Sequence, residues 1–164
     1  MRLFQTIIFY AIAITCYLQF DIHSQTIQSK IENLSQKADI ILTGKVIEQK
    51  SSWNGDKTRI NTNVVVQAEE YLKGDYSEKA LTVTTPGGEI GEVGELYSHM
   101  PRFTTDEEVL IFVKRDKQDM NYKVIGGEDG KLTLYRNKSG ELVTSFNKKI
   151  SALKNEIKNF VEKQ

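Results

Sequence analysis

Along the chain the hydrophobic positions change their period three times. From Leu3 to Phe20 there is no charged residue, and Ile, Phe, Ala and Leu dominate. Ile27, Ile31 and Leu34 then recur at spacings of four and three, an apolar stripe that predicts a short helix from Thr26 to Lys37. From Ala38 onward the runs are of strand type. Ile40, Ile41 and Leu42, continued by Val46 and Ile47, form a β-branched run that reads as a strand buried on both faces for part of its length. Ser51 to Lys57 reads as a turn around Asn54-Gly55. Thr58 to Leu72 is a long strand, Ala80 to Thr85 alternates apolar and polar residues, and Val109 to Lys114 (VLIFVK) is a central strand. Tyr122 to Ile125, Leu132 to Tyr135 and Glu141 to Val143 are shorter strands, separated by Gly126-Gly127, Asp129-Gly130 and Ser139-Gly140. From Lys148 to Lys163 helical spacing returns, with Ile150, Leu153, Ile157 and Phe160 on one face.

The order is thus helix, six or seven short strands, helix. Strands and helices do not alternate, which excludes a doubly wound parallel sheet. Many short strands with glycine-rich turns predict a mainly β (α+β) barrel or sandwich. The C-terminal helix (148–163) is expected to dock on it through its apolar face; a partner-binding helix is the alternative.

The opening run has a further meaning. Arg2 precedes it, and Ile22 and Ser24 end it at the two positions that a signal peptidase inspects. This is the pattern of a secretory signal peptide over 1–24, leaving one domain over 25–164 in the periplasm or outside the cell. A retained anchor and a lipoprotein acylated at Cys16 are the competing readings. The run is short for an anchor and is interrupted by Gln5, Thr6, Thr15 and Gln19. Tyr17 and Leu18 follow the cysteine where polar residues are wanted. Cleavage would remove Cys16, the chain's single cysteine, so no disulfide could brace the exported domain. Lys and Arg total 22 and Asp and Glu total 22, and this exact balance argues against nucleic acid as a partner.

Five ordered segments resemble a family of exported bacterial domains of unknown function. They are Ala38-Asp39-Ile40-Ile41-Leu42-Thr43-Gly44-Lys45-Val46, Tyr71-Leu72-Lys73-Gly74-Asp75, Thr85-Pro86-Gly87-Gly88-Glu89, Met100-Pro101-Arg102-Phe103 and Glu107-Glu108-Val109-Leu110-Ile111-Phe112. The layout is also similar to netrin-type modules, which include the tissue inhibitors of metalloproteinases. That similarity implies a small OB-like, netrin-like antiparallel barrel of five strands with a terminal helix packed on it. It does not carry over inhibition, because those inhibitors chelate zinc through an N-terminal cysteine and rely on disulfides.

Pro86 to Phe103 (PGGEIGEVGELYSHMPRF) stands apart as a long connection with four glycines, three glutamates at three-residue spacing and His99. A long loop in a small domain is a wide structural connection or a binding loop. Glu89, His99, Arg102 and Phe103 are the candidate binding residues, offering both signs of charge, an imidazole and an aromatic ring. Glu89, Glu92 and Glu95 could face one cation, although no calcium-loop motif accompanies them. His99 alone cannot build a zinc site. Trp53, Tyr71 and Tyr76 could form a stacking face, with core packing the plainer role. No nucleophile–base set or phosphate loop is visible. The expectation is a non-catalytic binding module with no cofactor or metal, meeting an unidentified protein or small molecule outside the cytoplasm and keeping no membrane span after cleavage. A hydrolase using carboxylates of the 86–103 loop, or a protease-inhibitor-like module, is the alternative.

Overall fold

The computed structural model describes residues 26–74, 78–117 and 121–163. The expected signal segment, together with Asp75 and Tyr76, lies outside them. The chain divides into two units, 1–33 and 34–164. In the first, residues 26–33 are helical; the same helical run (α1) ends at residue 37 in the second.

The second unit is mainly β. Its strands are β1 (Ile40–Trp53), β2 (Ile60–Lys73), β3 (Ala80–Pro86), β4 (Gly88–Ile90), β5 (Val93–Glu95), β6 (Glu108–Arg115), β7 (Tyr122–Val124), β8 (Lys131–Arg136) and β9 (Leu142–Thr144). A helix, α2 (Ile150–Glu162), follows. Strands β1, β2, β3, β7 and β6 form a closed ring, because β1 pairs with β2 on one side and with β6 on the other. Strands β8 and β9 extend the sheet from β6. This is the OB-like five-stranded barrel expected from the sequence, with one refinement. A ring of five strands cannot alternate direction all the way round, so one neighbouring pair must run parallel. That pair is β3–β7, joined at Val83 and Tyr122, while every other ladder is antiparallel.

Closure depends on β1 bending. It pairs with β6 only from Ile40 to Lys45, and its register against β2 slips at Ile41/Leu42, Thr43/Gly44 and Val46/Glu48. Such irregularities sharpen twist and let one strand serve both sides of a barrel. Gly44 sits at one slip, where a Cβ would lie 2.2 Å from the Gln67 carbonyl oxygen, so β2 can approach only a glycine.

The barrel interior is filled by Ile40, Leu42, Val46, Val64, Val66, Leu81, Val83 and the alternate β6 residues Val109, Ile111 and Val113. The intervening residues Ile41, Leu110 and Phe112 are also fully buried, on the outer side of the wall. This double burial explains the uninterrupted VLIFV run. Helix α2 packs against β2 and β9, burying Leu153 and Ile157 completely. Burial of a side chain of this size is worth about 1.5–3 kcal/mol. Lys154 and Lys158 fasten the helix to the two oxygens of Glu70 on β2, at 2.8 and 2.9 Å. The helix starts at Ile150 rather than Lys148, because Lys149 is extended and bridged to Val143 while the Lys148 N–H donates to Thr144 Oγ1.

Two of the recognised segments meet at one end of the barrel. Lys73 Nζ donates to the carbonyls of Ser35 (2.8 Å) and Gln36 (3.1 Å), and burial lowers its pKa from the ordinary lysine value. Asp39 accepts the Arg115 N–H at 3.1 Å. The first contacts tie the end of β2 to the residues that precede β1, and the last ties the entry of β1 to the end of β6.

At the opposite end of β1 the expected turn is displaced. β1 runs on through Ser51 and Trp53, and the loop begins at Asn54. Asn54 Oδ1 accepts the N–H groups of both Thr58 and Arg59, so the asparagine organises a wide loop instead of a two-residue hairpin turn. Gly126–Gly130, expected as a turn, contains a short 3₁₀ helix (Gly127–Gly130). Among the described residues no helix is long and apolar enough to cross a membrane.

Candidate functional site

Strand register assembles a polar floor at one end of the barrel. Gln49 is aligned with Val64, and Val64 with Val83, in one cross-strand row. Two residues further along β1, the next row on that face is Ser51, Thr62 and Thr85. The face that is aliphatic inside the barrel therefore turns hydroxylic where the barrel opens. The Ser51 and Thr62 hydroxyls form a directed chain. Thr62 Oγ1 donates its single proton to the Gly87 carbonyl at 2.7 Å, so the 3.0 Å contact with Ser51 is made by the Ser51 hydroxyl donating to Thr62. Ser51 Oγ is left with lone pairs and no proton to give.

The segment 86–103 folds over this floor. It is not a plain loop, because β4 and β5 pair as a small separate hairpin with Gly91 and Glu92 at the tip. Gly88 lies against the floor, where a Cβ would stand 2.3 Å from Thr62 Oγ1 and 2.4 Å from Ser51 Oγ. Its φ of 135° is also one that side chains disfavour. The Gly87 N–H donates to the Ile60 carbonyl at 2.8 Å. Floor and segment enclose a cleft of about 730 Å³. A second cavity of about 280 Å³ shares Thr85, Pro86, Met100 and Pro101 with it, so these residues form the partition between the two.

Three of the four candidate residues border the large cleft. Glu89 is exposed on β4, Arg102 is exposed, and Phe103 is half-buried. Among the described residues no ion pair or hydrogen bond engages the Glu89 carboxylate or the Arg102 guanidinium. Phe103 packs against the barrel core, and Lys131 Nζ stands 5.0 Å above its ring. His99 does not line the cleft. It adopts a left-handed conformation (φ 60°), and its carbonyl accepts the Glu128 N–H at 3.0 Å, so its backbone anchors the segment to the turn before β8.

The glutamates expected to face one cation do not converge. Glu89 is opposite Gly94 and Glu95 is opposite Gly88, which puts the two side chains on different faces of the hairpin. Glu95 Oε2 is engaged by the Ile60 N–H (2.9 Å) and the Tyr97 hydroxyl (3.1 Å). Among the described residues no group of three His, Cys, Asp or Glu side chains is placed to hold a metal ion. Trp53 and Tyr71 do not share a platform either, since they lie at opposite ends of the β1–β2 ladder.

No family model matches the chain, and no curated protein matches it.

Several residues of the site were not singled out from the sequence. Gln49, Ser51, Thr62 and Thr85 carry one weak signal, polar residues continuing the core-facing alternation near strand ends. Lys131 carries none. It lies under the segment, with Nζ donating to the Arg102 carbonyl at 2.6 Å and pairing with Glu107 at 2.7 Å. Glu107 also accepts the Thr104 N–H at 2.7 Å and the Thr133 hydroxyl at 3.2 Å. The Lys131 and Glu107 side chains are only 9% and 12% exposed, so this largely buried ion pair fixes the Arg102–Phe103 segment of the cleft wall.

Proposed function

We propose that the protein is a non-catalytic binding module that acts in the periplasm or outside the cell, and that it takes its ligand in the cleft between the hydroxyl row and residues 86–103. One observation carries the reading of the cleft. Glu89 and Arg102 are opposite charges that border one cavity, and among the described residues neither side chain is engaged by an ion pair or a hydrogen bond. A cavity of this size falls within the range of small-ligand sites. Arg2 and the apolar run from Leu3 to Phe20, with the resemblance to exported domains, support the compartment. Catalysis is disfavoured by the arrangement itself. His99 lies off the cleft, the Ser51 proton is committed to Thr62, and Glu95 is held by two donors.

N-terminal sequencing of the exported protein is expected to start near Gln25, and an intact Met1 in cytosol would refute export. For the cleft, a partner recovered from the extracellular or periplasmic fraction is the probe. Glu89→Ala and Arg102→Ala should leave the melting temperature nearly unchanged, since exposed substitutions cost within about 0.5 kcal/mol. Both should weaken that binding, while His99→Ala should not. Unchanged binding in both cleft variants would refute the site. Turnover in a hydrolase screen that Glu89→Gln or Glu95→Gln abolishes would replace the module by an enzyme.

A further inference from the structure

We propose that the ligand is a short peptide with both ends free, its ammonium group placed against Glu89 and its carboxylate on Arg102. This rests on the reading of the cleft as the binding site. Glu89 and Arg102 are opposite charges bordering one cavity, yet they do not pair with each other. A ligand that carries both complementary charges converts two solvated groups into two charge-assisted hydrogen bonds, and the planar guanidinium matches a carboxylate in a two-pronged contact. Nucleic acids and other polyanions meet the Glu89 carboxylate. Neutral glycans suit the hydroxyls but leave both charges without a counterpart.

The floor adds a second, independent feature. The directed hydroxyl chain leaves Ser51 Oγ, which lines the same cleft, as an acceptor for a donor on the ligand. A peptide N–H supplies such a donor. The wall supplies a third element. Leu96 is 74% exposed and Met100 38% exposed, both bordering the cleft, and they offer apolar surface for a side chain of the ligand. A tripeptide spans about 10 Å when extended, and a cleft of about 730 Å³ has the volume of a small-ligand site.

The test is titration of the exported protein with a library of tripeptides with both ends free, the same library N-acetylated, and the same library C-amidated. Binding is followed by calorimetry and by amide chemical shifts. The expected result is binding of free-ended members, weakened at least tenfold by either block, with shifts centred on Thr85–Phe103. Glu89→Gln should make binding indifferent to acetylation and Arg102→Gln indifferent to amidation. Ser51→Ala should weaken all members while preserving both dependences. Equal binding of blocked and free libraries, or no binding by any member, overturns the proposal. Cellotriose serves as the neutral glycan probe. If it shifts the cleft amides and the tripeptides do not, the peptide assignment falls while the cleft stands as a binding site. If tripeptides bind with shifts confined to surfaces away from the cleft, both readings fall.

Discussion

Replacing Lys131 by methionine tests whether a buried ion pair holds the wall of the cleft. Methionine keeps most of the volume and a favourable contact with the Phe103 ring, so the variant removes charge and donors with little repacking. It strands Glu107, 12% exposed, without its cation. Breaking a buried pair by removing one partner costs about 3–5 kcal/mol. Glu107 retains the Thr104 N–H and the Thr133 hydroxyl, which favours the lower end of that range, about 3 kcal/mol. For a domain of this size that corresponds to a fall in Tm of roughly 6–12 °C. Urea unfolding followed by circular dichroism gives the stability, and hydrogen exchange at Thr104 reports local opening of the wall. The companion Lys131→Met/Glu107→Gln carries the decision. Glutamine removes the stranded charge and still accepts the Thr104 N–H, so the double variant should recover about half of the loss. A single variant within about 1 kcal/mol of wild type, or a double variant as unstable as the sum of the two singles, would refute the assignment of Lys131 and Glu107 as a buried, mutually dependent pair.

Three further outcomes follow from the same contacts. Gly88→Ala should destabilise the β4–β5 hairpin by about 2–4 kcal/mol, from backbone strain at φ 135° and displacement of the Ser51 and Thr62 hydroxyls, and hydrogen exchange at Gly87 should accelerate accordingly. Gly91→Ala at the hairpin tip, with nothing within 4 Å of its added Cβ, should cost only about 1 kcal/mol, and equal effects at the two sites would exclude the steric account. Glu70 has its pKa lowered from 4.5 chiefly by the hydrogen bond from Lys154 and then by that from Lys158, so its contribution is present above that ordinary value and is lost as pH falls through the lower folded value. Glu70→Gln should therefore cost about 0.5–1 kcal/mol at pH 7 and progressively less in thermal melts toward pH 3, and a gap constant across that range would refute the coupling.

The strands were legible because their signal is local. The β-branched run at Ile40–Leu42, the alternation at Ala80–Thr85 and the unbroken VLIFV of β6 each report burial within a few residues, and the observed strands fall on them. The amphipathic stripe of α2 was equally plain, with Leu153 and Ile157 buried as their spacing required. Strand ends were less so. β1 continues through Ser51–Trp53 because β2 pairs with it there, a stabilisation that nothing in those three residues announces.

By itself the sequence determined the mainly β architecture, the flanking helices and the 86–103 segment as the place where unusual residues gather. Only the tertiary structure decided what that segment does. His99 lies off the cleft with its carbonyl bonded to the Glu128 N–H, and Phe103 packs on the core, while Glu89 and Arg102 border the cavity with no side-chain partner among the described residues. The hydroxyl floor joins Ser51, Thr62 and Thr85 from three strands, and Lys131 reaches Arg102 across 29 positions. Periodicity encodes which face of a strand is buried, but register encodes which strand stands opposite, and register is set by long-range pairing and ring closure. Five strands closing on themselves forced one parallel pair and aligned three hydroxyls at the barrel mouth, a consequence of the whole ring that no single segment carries.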